Sequence, residues 1–290
     1  MSASAKPYIS RLDKSFRDDY SRSFQLTIQL SLDGFSFVIY SPEKEKYVGT
    51  EAYQFTNIDD EIRLTAALDQ VIMNNRWIAY PFQSVTVLID HTHNALVPSP
   101  LYEEKEKGTY LAFSQQYRDN SRIMADHLVN AAAYNIYYLS NPLIEKIKDL
   151  WANARIAHYT SALIESLMIQ HKNKQVDDAL FVHVRRKVFD LVVIRDEKLF
   201  FFNSFRYNTK EDFIYFLLFT MEQLRMNPEI ARVFMLGMID KSSECYEIAW
   251  KYIRDISFID PVKAFGFSYV LDELPQHFNY VLYNAIRCEL

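Results

Sequence analysis

The chain has 290 residues and a mass of 34.3 kDa, and 49% of its residues are hydrophobic while 24% are charged. This length is typical of about two domains, and this composition excludes an intrinsically disordered chain. The net charge of −5 excludes an overall electrostatic attraction to nucleic acid or to an anionic membrane.

Glycine and cysteine are both scarce in this chain. The five glycines are dispersed, which excludes the clustered glycine loop that cradles phosphate in standard nucleotide enzymes. Two cysteines, Cys245 and Cys288, are too few for a disulfide framework or a structural zinc site, and they predict buried thiols in a reducing compartment. The longest apolar stretch, 214–221, is too short to span a bilayer, and the N-terminus lacks the apolar core of a signal peptide. We therefore expect a cytoplasmic protein without a membrane span.

The first half of the chain begins with a polar segment, 1–23, which predicts a flexible tail. Apolar and polar residues then alternate over 24–32, which indicates a strand. The dipeptide Asp33-Gly34 predicts a type I′ hairpin turn in which glycine adopts a positive φ. The later elements predicted here are a strand at 35–40, a charged turn at 42–46, a strand at 47–55, a helix capped by Asn57 or Asp59, and a buried strand at 84–90.

The same order of elements recurs about 150 residues later. Strands are predicted at 180–184, 188–194 and 199–205, a helix follows its cap at Thr209, and a short apolar strand follows at 231–236. Elsewhere we predict a solvated loop at 103–108, an extended apolar run at 123–139, helices at 142–151 and 161–171, a helix capped by Ser242 or Ser243, and a final helix at 277–286. The polar stretch near 173–178 places a boundary between subdomains 24–175 and 176–290.

This duplicated order resembles the actin-like ATPase superfamily, over the chain from about residue 24 to its end. It looks closest to an uncharacterised Bacteroidetes family with an actin-like fold, and to the pilus-assembly ATPases. The resemblance implies an α/β protein with duplicated actin-like (ribonuclease H-like) domains. Each domain would contain a mixed five-stranded sheet, with an antiparallel three-stranded meander, and helices. It also implies ATP in a cleft between the halves, held by two Asp-x-Gly hairpin turns and a Gly-Gly pair.

The chain departs from each of these three motifs. In the first hairpin, Asp33 and Gly34 are adjacent and displaced, so Ser31 takes the place of the family's aspartate. In the second, His183 replaces the aspartate, and three basic residues replace the glycines: Arg185, Arg186 and Lys187. In the third, Gly237 is kept while methionine replaces its partner. These departures put both metal organisation and the approach of phosphate in doubt.

Several side chains nevertheless remain candidates for a site. The basic turn 185–187 either binds an anion by charge or is a solvated hairpin, and Asp33-Gly34 is either a catalytic remnant or a turn required by geometry. His91 and His93 follow a buried strand and supply two metal ligands, with His127 or a carboxylate as a third, or they belong to a polar loop.

These observations favour an actin-like scaffold or protein-interaction module that does not hydrolyse ATP, with no catalytic residues and no cofactor. A protein partner or a second copy of the chain would bind it, whereas nucleic acid would not. The alternative is a divergent ATP-binding protein or ATPase that holds phosphate through charged side chains, Arg185 or Lys187, where relatives use the glycine backbone.

Overall fold

The computed structural model describes residues 6–172, 178–260 and 263–290 as a mixed α/β protein. The predicted boundary at 175/176 lies outside the described residues. The strands, in chain order, are β1 (Ile9–Leu12), β2 (Gln25–Ser31), β3 (Gly34–Ser41), β4 (Lys46–Gln54), β5 (Ser84–Asp90), β6 (Asn94–Pro98), β7 (Ser121–Leu128), β8 (Ala133–Ser140), β9 (Arg155–His158), β10 (Ala179–Arg185), β11 (Val188–Arg195), β12 (Lys198–Arg206), β13 (Arg232–Gly237), β14 (Asp255–Phe258) and β15 (Gly266–Phe267). The α-helices are α1 (Glu61–Asn74), α2 (Lys107–Ala112), α3 (Asn141–Leu150), α4 (Tyr159–His171), α5 (Lys210–Gln223), α6 (Glu244–Tyr252) and α7 (Tyr280–Asn284).

The chain divides into two compact units. Unit 1 comprises Met1–Ser166, Lys263–Glu273 and Val281–Leu290, and unit 2 comprises Leu167–Val262 and Leu274–Tyr280. Unit 1 therefore includes two segments that the sequence analysis assigns to the second half. Within unit 1 they pack on the main sheet, because β15 pairs with β4 and the Tyr47 hydroxyl donates a hydrogen bond to the Tyr283 carbonyl at 2.5 Å.

The main sheet of unit 1 has the strand order β1-β4-β3-β2-β5-β9, with β15 also beside β4. β2, β3 and β4 form the predicted antiparallel meander, and β5 and β9 add in parallel orientation. The five strands expected for an actin-like domain are present, and β1 and β15 extend the sheet to seven. Parallel addition of β5 to β2 aligns the carboxyl ends of both strands, where Ser31 lies opposite Asp90.

Residues 9–12 correct the prediction of a flexible tail over 1–23. Ile9 to Leu12 pair in antiparallel register with β4, from Ile9 opposite Ala52 to Leu12 opposite Gly49. The Asp13 carboxylate, which follows directly, accepts hydrogen bonds from the Ser15 amide and the Ser268 hydroxyl. Residues 9–12 show no alternation of apolar and polar residues, so the sequence does not predict a strand there. Backbone pairing with β4 at the edge of the sheet holds the segment in place.

A three-stranded antiparallel sheet, β6-β8-β7, forms a separate layer of unit 1. The extended run predicted at 123–139 corresponds to β7 and β8, which pair across a turn. The loop predicted at 103–108 is wrong in part, because a 3₁₀ turn at Glu104–Glu106 leads into α2. The helix is present because Leu111 packs into an apolar cluster with Val97 and Ile136.

Unit 2 is built on a five-stranded sheet of order β12-β11-β10-β13-β14. α5 begins with a capping box in which the Thr209 hydroxyl accepts from the Asp212 amide at 3.1 Å and the Asp212 carboxylate accepts from the Thr209 amide at 3.1 Å. The buried face of α5, including Phe213 and Leu217, packs with β10 and β11 in one apolar core. The predicted order of three antiparallel strands, a helix and a parallel strand is confirmed.

Two helix ends differ from their predictions, and a third agrees in position only. Asp60, rather than Asn57 or Asp59, caps α1, since its carboxylate accepts from the Arg63 amide at 2.7 Å. Ser243 is the N-cap residue of α6, but its hydroxyl bonds to Asp240 instead of to the helix. The helix predicted at 277–286 is α-helical only over Tyr280–Asn284. His277, which precedes α7, belongs to the site described below, because its carbonyl accepts from the Gly237 amide.

The described part of the chain contains no helix that is long and apolar enough to cross a membrane. Both predicted thiols are free, with Cys288 buried and Cys245 half-buried.

Candidate functional site

The turn between β2 and β3 holds the first two candidate residues, Asp33 and Gly34. The Ser31 hydroxyl donates to Asp33 Oδ1 at 2.6 Å, and the Asp33 carbonyl accepts from the Phe55 amide at 2.9 Å. The prediction of a type I′ turn with positive φ at Gly34 is wrong, because Gly34 pairs with Ser31 as the first residue of β3 and its φ is not positive. A side chain is excluded there because its Cβ would stand 2.8 Å from the Tyr53 carbonyl oxygen.

The β10–β11 hairpin places two further candidates, His183 and Arg185, against the buried carboxylate of Asp190. The sequence analysis did not single out Asp190. His183 Nδ1 lies 2.9 Å from Asp190 Oδ2, and the Arg185 guanidinium donates to Asp190 Oδ1 at 2.7 Å. The Ser204 hydroxyl of β12 also donates to Asp190 Oδ1, at 2.6 Å. Register explains the cluster, because His183 and Ser204 both lie opposite Asp190 on neighbouring strands.

The cluster keeps Asp190 charged. Burial raises the pKa of this carboxyl, but the Arg185 charge and the hydrogen bonds from His183 and Ser204 outweigh burial and hold the pKa below its ordinary value. Arg185 is thus committed to an internal ion pair. The signal that could have identified Asp190 is a single charged residue within the apolar strand 188–194.

Arg186 and Lys187 occupy the turn of the same hairpin. Arg185 pairs with Val188, so these two residues form the loop, and both side chains are exposed. Lys187 adopts a φ of 59°, and its carbonyl accepts from the Tyr207 amide at 3.1 Å. The structure therefore separates the three basic candidates: Arg185 binds Asp190, while Arg186 and Lys187 face solvent.

Gly237, at the end of β13, is the glycine with a positive φ, 85°. A Cβ there would overlap the Val184 carbonyl oxygen and stand 2.9 Å from His183 Cδ2, so β10 approaches too closely for any side chain. The amides that follow β13 are used internally. Gly237 donates to the His277 carbonyl, Met238 to the Val184 carbonyl, and Ile239 to the Gly237 carbonyl, each at 2.8 Å.

His91, which follows β5, and His127, the third candidate ligand, make separate contacts. His91 Nδ1 lies 3.2 Å from His158 Nε2, and His91 Nε2 lies 3.2 Å from the Tyr138 carbonyl. His127 stacks on Tyr134 instead, with ring centroids 4.5 Å apart. Over residues 6–172, 178–260 and 263–290 there is no group of three or more His, Cys, Asp or Glu side chains arranged to hold a metal ion.

A second buried carboxylate, Asp126 on β7, joins the three-stranded sheet to the start of α4. Its Oδ2 accepts from the His158 amide at 2.7 Å and from the Ser161 hydroxyl at 2.6 Å, and its Oδ1 accepts from the Tyr137 hydroxyl at 3.2 Å. Burial raises the pKa of Asp126 to about 6, although all three hydrogen bonds act in the opposite direction. The sequence signal that could have identified Asp126 is its position as a single charged residue in the extended apolar run 123–139.

Comparisons with known proteins were made for sequence and for structure. A family model described as "Protein of unknown function (DUF3822)" matches residues 13–256. The comparison with curated proteins gave no match.

Two solved structures are similar to this chain over nearly their whole length. One is a protein with an actin-like ATPase fold and unknown function from Bacteroides thetaiotaomicron VPI-5482, with 22% identity, a TM-score of 0.77, and coverage of 94% of this chain and 99% of that one. Another comes from the PilM–PilN type IV pilus biogenesis complex, with 11% identity, a TM-score of 0.61, and coverage of 92% and 98%. The fold is therefore actin-like, as predicted.

Replacing Asp190 by asparagine is expected to lower the free energy of unfolding by about 3 kcal/mol, since it leaves the Arg185 charge without its buried partner. Urea unfolding followed by circular dichroism measures the change. Asp196→Asn in the exposed turn before β12 is the control and should stay within about 0.5 kcal/mol of the parent chain. Equal stabilities of the two variants would contradict the assigned role of Asp190.

Gly237→Ala is expected to destabilise unit 2 by more than about 1 kcal/mol, because the new Cβ meets the Val184 carbonyl at a positive φ. Gly108→Ala in α2 is the matched control, since its Cβ would meet its nearest neighbour at an ordinary 3.7 Å. That control should be neutral or stabilising, because alanine favours a helix. Thermal unfolding of both variants tests the contrast, and a loss of similar size in both would refute it.

Asp126 should make the stability of the chain depend on pH. A folded-state pKa of about 6 means that the folded chain binds this proton more tightly than the unfolded chain does. The free energy of unfolding should therefore fall as pH rises from about 4 to about 6, with a slope of up to ~1.4 kcal/mol per pH unit from this group. Urea unfolding at several pH values, compared with Asp126→Asn, measures it. A variant with an unchanged slope would contradict the prediction.

Proposed function

We propose a function for this chain, which belongs to the DUF3822 family. It is an actin-like scaffold that binds another protein and does not hydrolyse ATP. The observation that carries the proposal is the internal use of the polar groups at the three turns where the superfamily holds ATP. Asp33 bonds to Ser31, Asp190 binds Arg185, and the Gly237 amide donates to the His277 carbonyl.

The third turn gives the strongest support for a chain that does not bind ATP. Backbone N–H groups must point at an anion to bind it. At this turn the amides of Gly237, Met238 and Ile239 each donate to a carbonyl of the chain itself. A phosphate or adenosine group there would have to displace all three bonds, and each displacement costs the hydrogen bond already made.

The second turn gives a similar argument for the metal. The superfamily's hairpin aspartate is replaced by His183, which is buried and lies against Asp190. The Asp190 carboxylate already receives hydrogen bonds from Arg185 and Ser204. A magnesium ion requires oxygen ligands with space for several waters, whereas this carboxylate is fully buried.

Support for a binding role comes from a structural neighbour and from the surface. One similar structure comes from the PilM–PilN type IV pilus biogenesis complex, so a chain of this fold is found in a complex with another protein. Exposed aromatic side chains, including Tyr215, Phe219 and Trp250, are of the type enriched at protein interfaces. The partner is another protein or a second copy of the chain.

One observation favours a second candidate function, a divergent ATP-binding protein. Arg186 and Lys187 both face solvent at the hairpin turn, and cationic side chains bind phosphate well. In this alternative, charge would replace the glycine backbone of the superfamily, and Arg185 would take no direct part because it binds Asp190.

Calorimetric titration with ATP and magnesium, repeated with ADP, separates the two functions. The scaffold predicts no binding heat up to millimolar nucleotide and no phosphate release by a folded sample. Micromolar binding that is lost in Arg186→Gln/Lys187→Asn would establish the alternative; asparagine tolerates the positive φ at 187. Asp196→Asn is the control for a charge change at an exposed turn. Magnesium-dependent turnover abolished by Asp33→Ala would overturn the scaffold proposal.

A further inference from the structure

β12 is an unusually long edge strand for this protein. It has nine residues and forms one edge of the unit 2 sheet, where β11 is its partner among the described residues. The other strands that end the two main sheets, β1, β9 and β14, have four residues each. Natural proteins shorten or cover their edge strands because an open edge is a template for another strand.

Alternate residues of β12 direct their backbone groups away from β11. The Tyr207 amide, one residue past the strand, donates to Lys187 on the β11 side, so the backbone groups of Phe202, Ser204 and Arg206 face outward. A bulge opposite Val193 and Ile194 interrupts this alternation before Phe201. The side-chain oxygen of Asn203 accepts from the outward Ser204 amide at 2.9 Å. Asn203 is exposed, so its side chain can turn away and leave this amide to an added strand.

A row of aromatic rings runs from β12 across the outer side of α5. Phe205 stacks on Phe216 at 5.3 Å, Phe216 contacts Tyr215 at 5.3 Å, and Tyr215 stacks on Phe219 at 5.9 Å. Tyr215 is 61% exposed and Phe219 is 45% exposed. On β12 itself, Phe200 is 51% exposed. An open edge beside an exposed apolar row is the arrangement that binds an extended peptide by strand addition.

Charge identifies what this edge can accept. Arg206 lies opposite Val188 and so beside the exposed turn residues Arg186 and Lys187, which makes this end of β12 basic. The charged residues of β12 are Lys198 and Arg206, both basic, so a second copy of this strand offers neither of them an opposite charge. Like charges directly opposite destabilise a strand pair. A second copy is therefore disfavoured, and a segment with acidic residues at one end is favoured.

We propose that β12 and the ring row Phe205–Phe216–Tyr215–Phe219 bind an extended segment of another protein that adds to the sheet. This segment is apolar at alternate residues and acidic at the end that meets Arg186, Lys187 and Arg206. The inference rests on the proposed scaffold function and names the chemistry of its partner.

The test uses the full chain and two fluorescein-labelled peptides, measured by fluorescence anisotropy. The first peptide is Glu-Glu-Thr-Val-Thr-Val-Thr-Val-Thr-Ser, and the second replaces both glutamates by lysines. The acidic peptide should bind at least tenfold more tightly than the basic one. Phe200→Lys and Tyr215→Ser should each weaken the binding of the acidic peptide at least tenfold. The first places a charge on the β12 edge, and the second removes a ring from the exposed aromatic row.

Two further variants sharpen the result. Arg206→Glu should reduce the preference for the acidic peptide at least tenfold, because it changes the charge at that end. Tyr252→Ser, on the exposed end of α6, removes a tyrosine of similar exposure, 54%, and should leave binding unchanged. Circular dichroism confirms that each variant is folded.

Binding of neither peptide, equal binding of both, or an affinity unchanged by both Phe200→Lys and Tyr215→Ser would overturn the inference. Nucleotide calorimetry is run on the same samples. ATP turnover with intact peptide selectivity would refute the scaffold function and leave the edge assignment, whereas loss of selectivity without nucleotide binding would refute the edge assignment alone.

Discussion

A carboxylate buried out of contact with water has to be neutralised from within the fold, and Asp190 places this constraint on unit 2. Its partners come from two strands besides its own: His183 and Arg185 from β10, and Ser204 from β12. The strands β10, β11 and β12 must therefore keep one register relative to one another. Arg185, one of the three basic residues of this hairpin, forms the ion pair that neutralises Asp190.

The neighbouring turn after β13 follows from the same close packing. β10 approaches so near that only glycine fits at 237, and its positive φ turns the chain so that three consecutive amides donate internally. Gly237 thus admits the close approach of β10, where a residue with a side chain would collide with the Val184 carbonyl.

Unit 1 uses the same principle with different residues. Asp126 gathers Ser161, Tyr137 and the His158 amide, and so fixes the three-stranded sheet to the start of α4. Here no cation offsets burial fully, which leaves the carboxyl with a pKa near neutrality. In each unit, a buried carboxylate therefore joins neighbouring elements through hydrogen bonds: Asp126 in unit 1 and Asp190 in unit 2.

The sequence by itself determined the duplicated order of strands and helices, because apolar periodicity acts locally, and the resemblance of that order to the actin-like superfamily supplied the fold. The sequence also identified Gly237 and the basic hairpin as unusual. Only the tertiary structure decided that Arg185 binds Asp190, that Gly34 avoids the Tyr53 carbonyl, and that residues 9–12 join the sheet. These contacts join different strands, and strand register across a sheet depends on the packing of the whole unit.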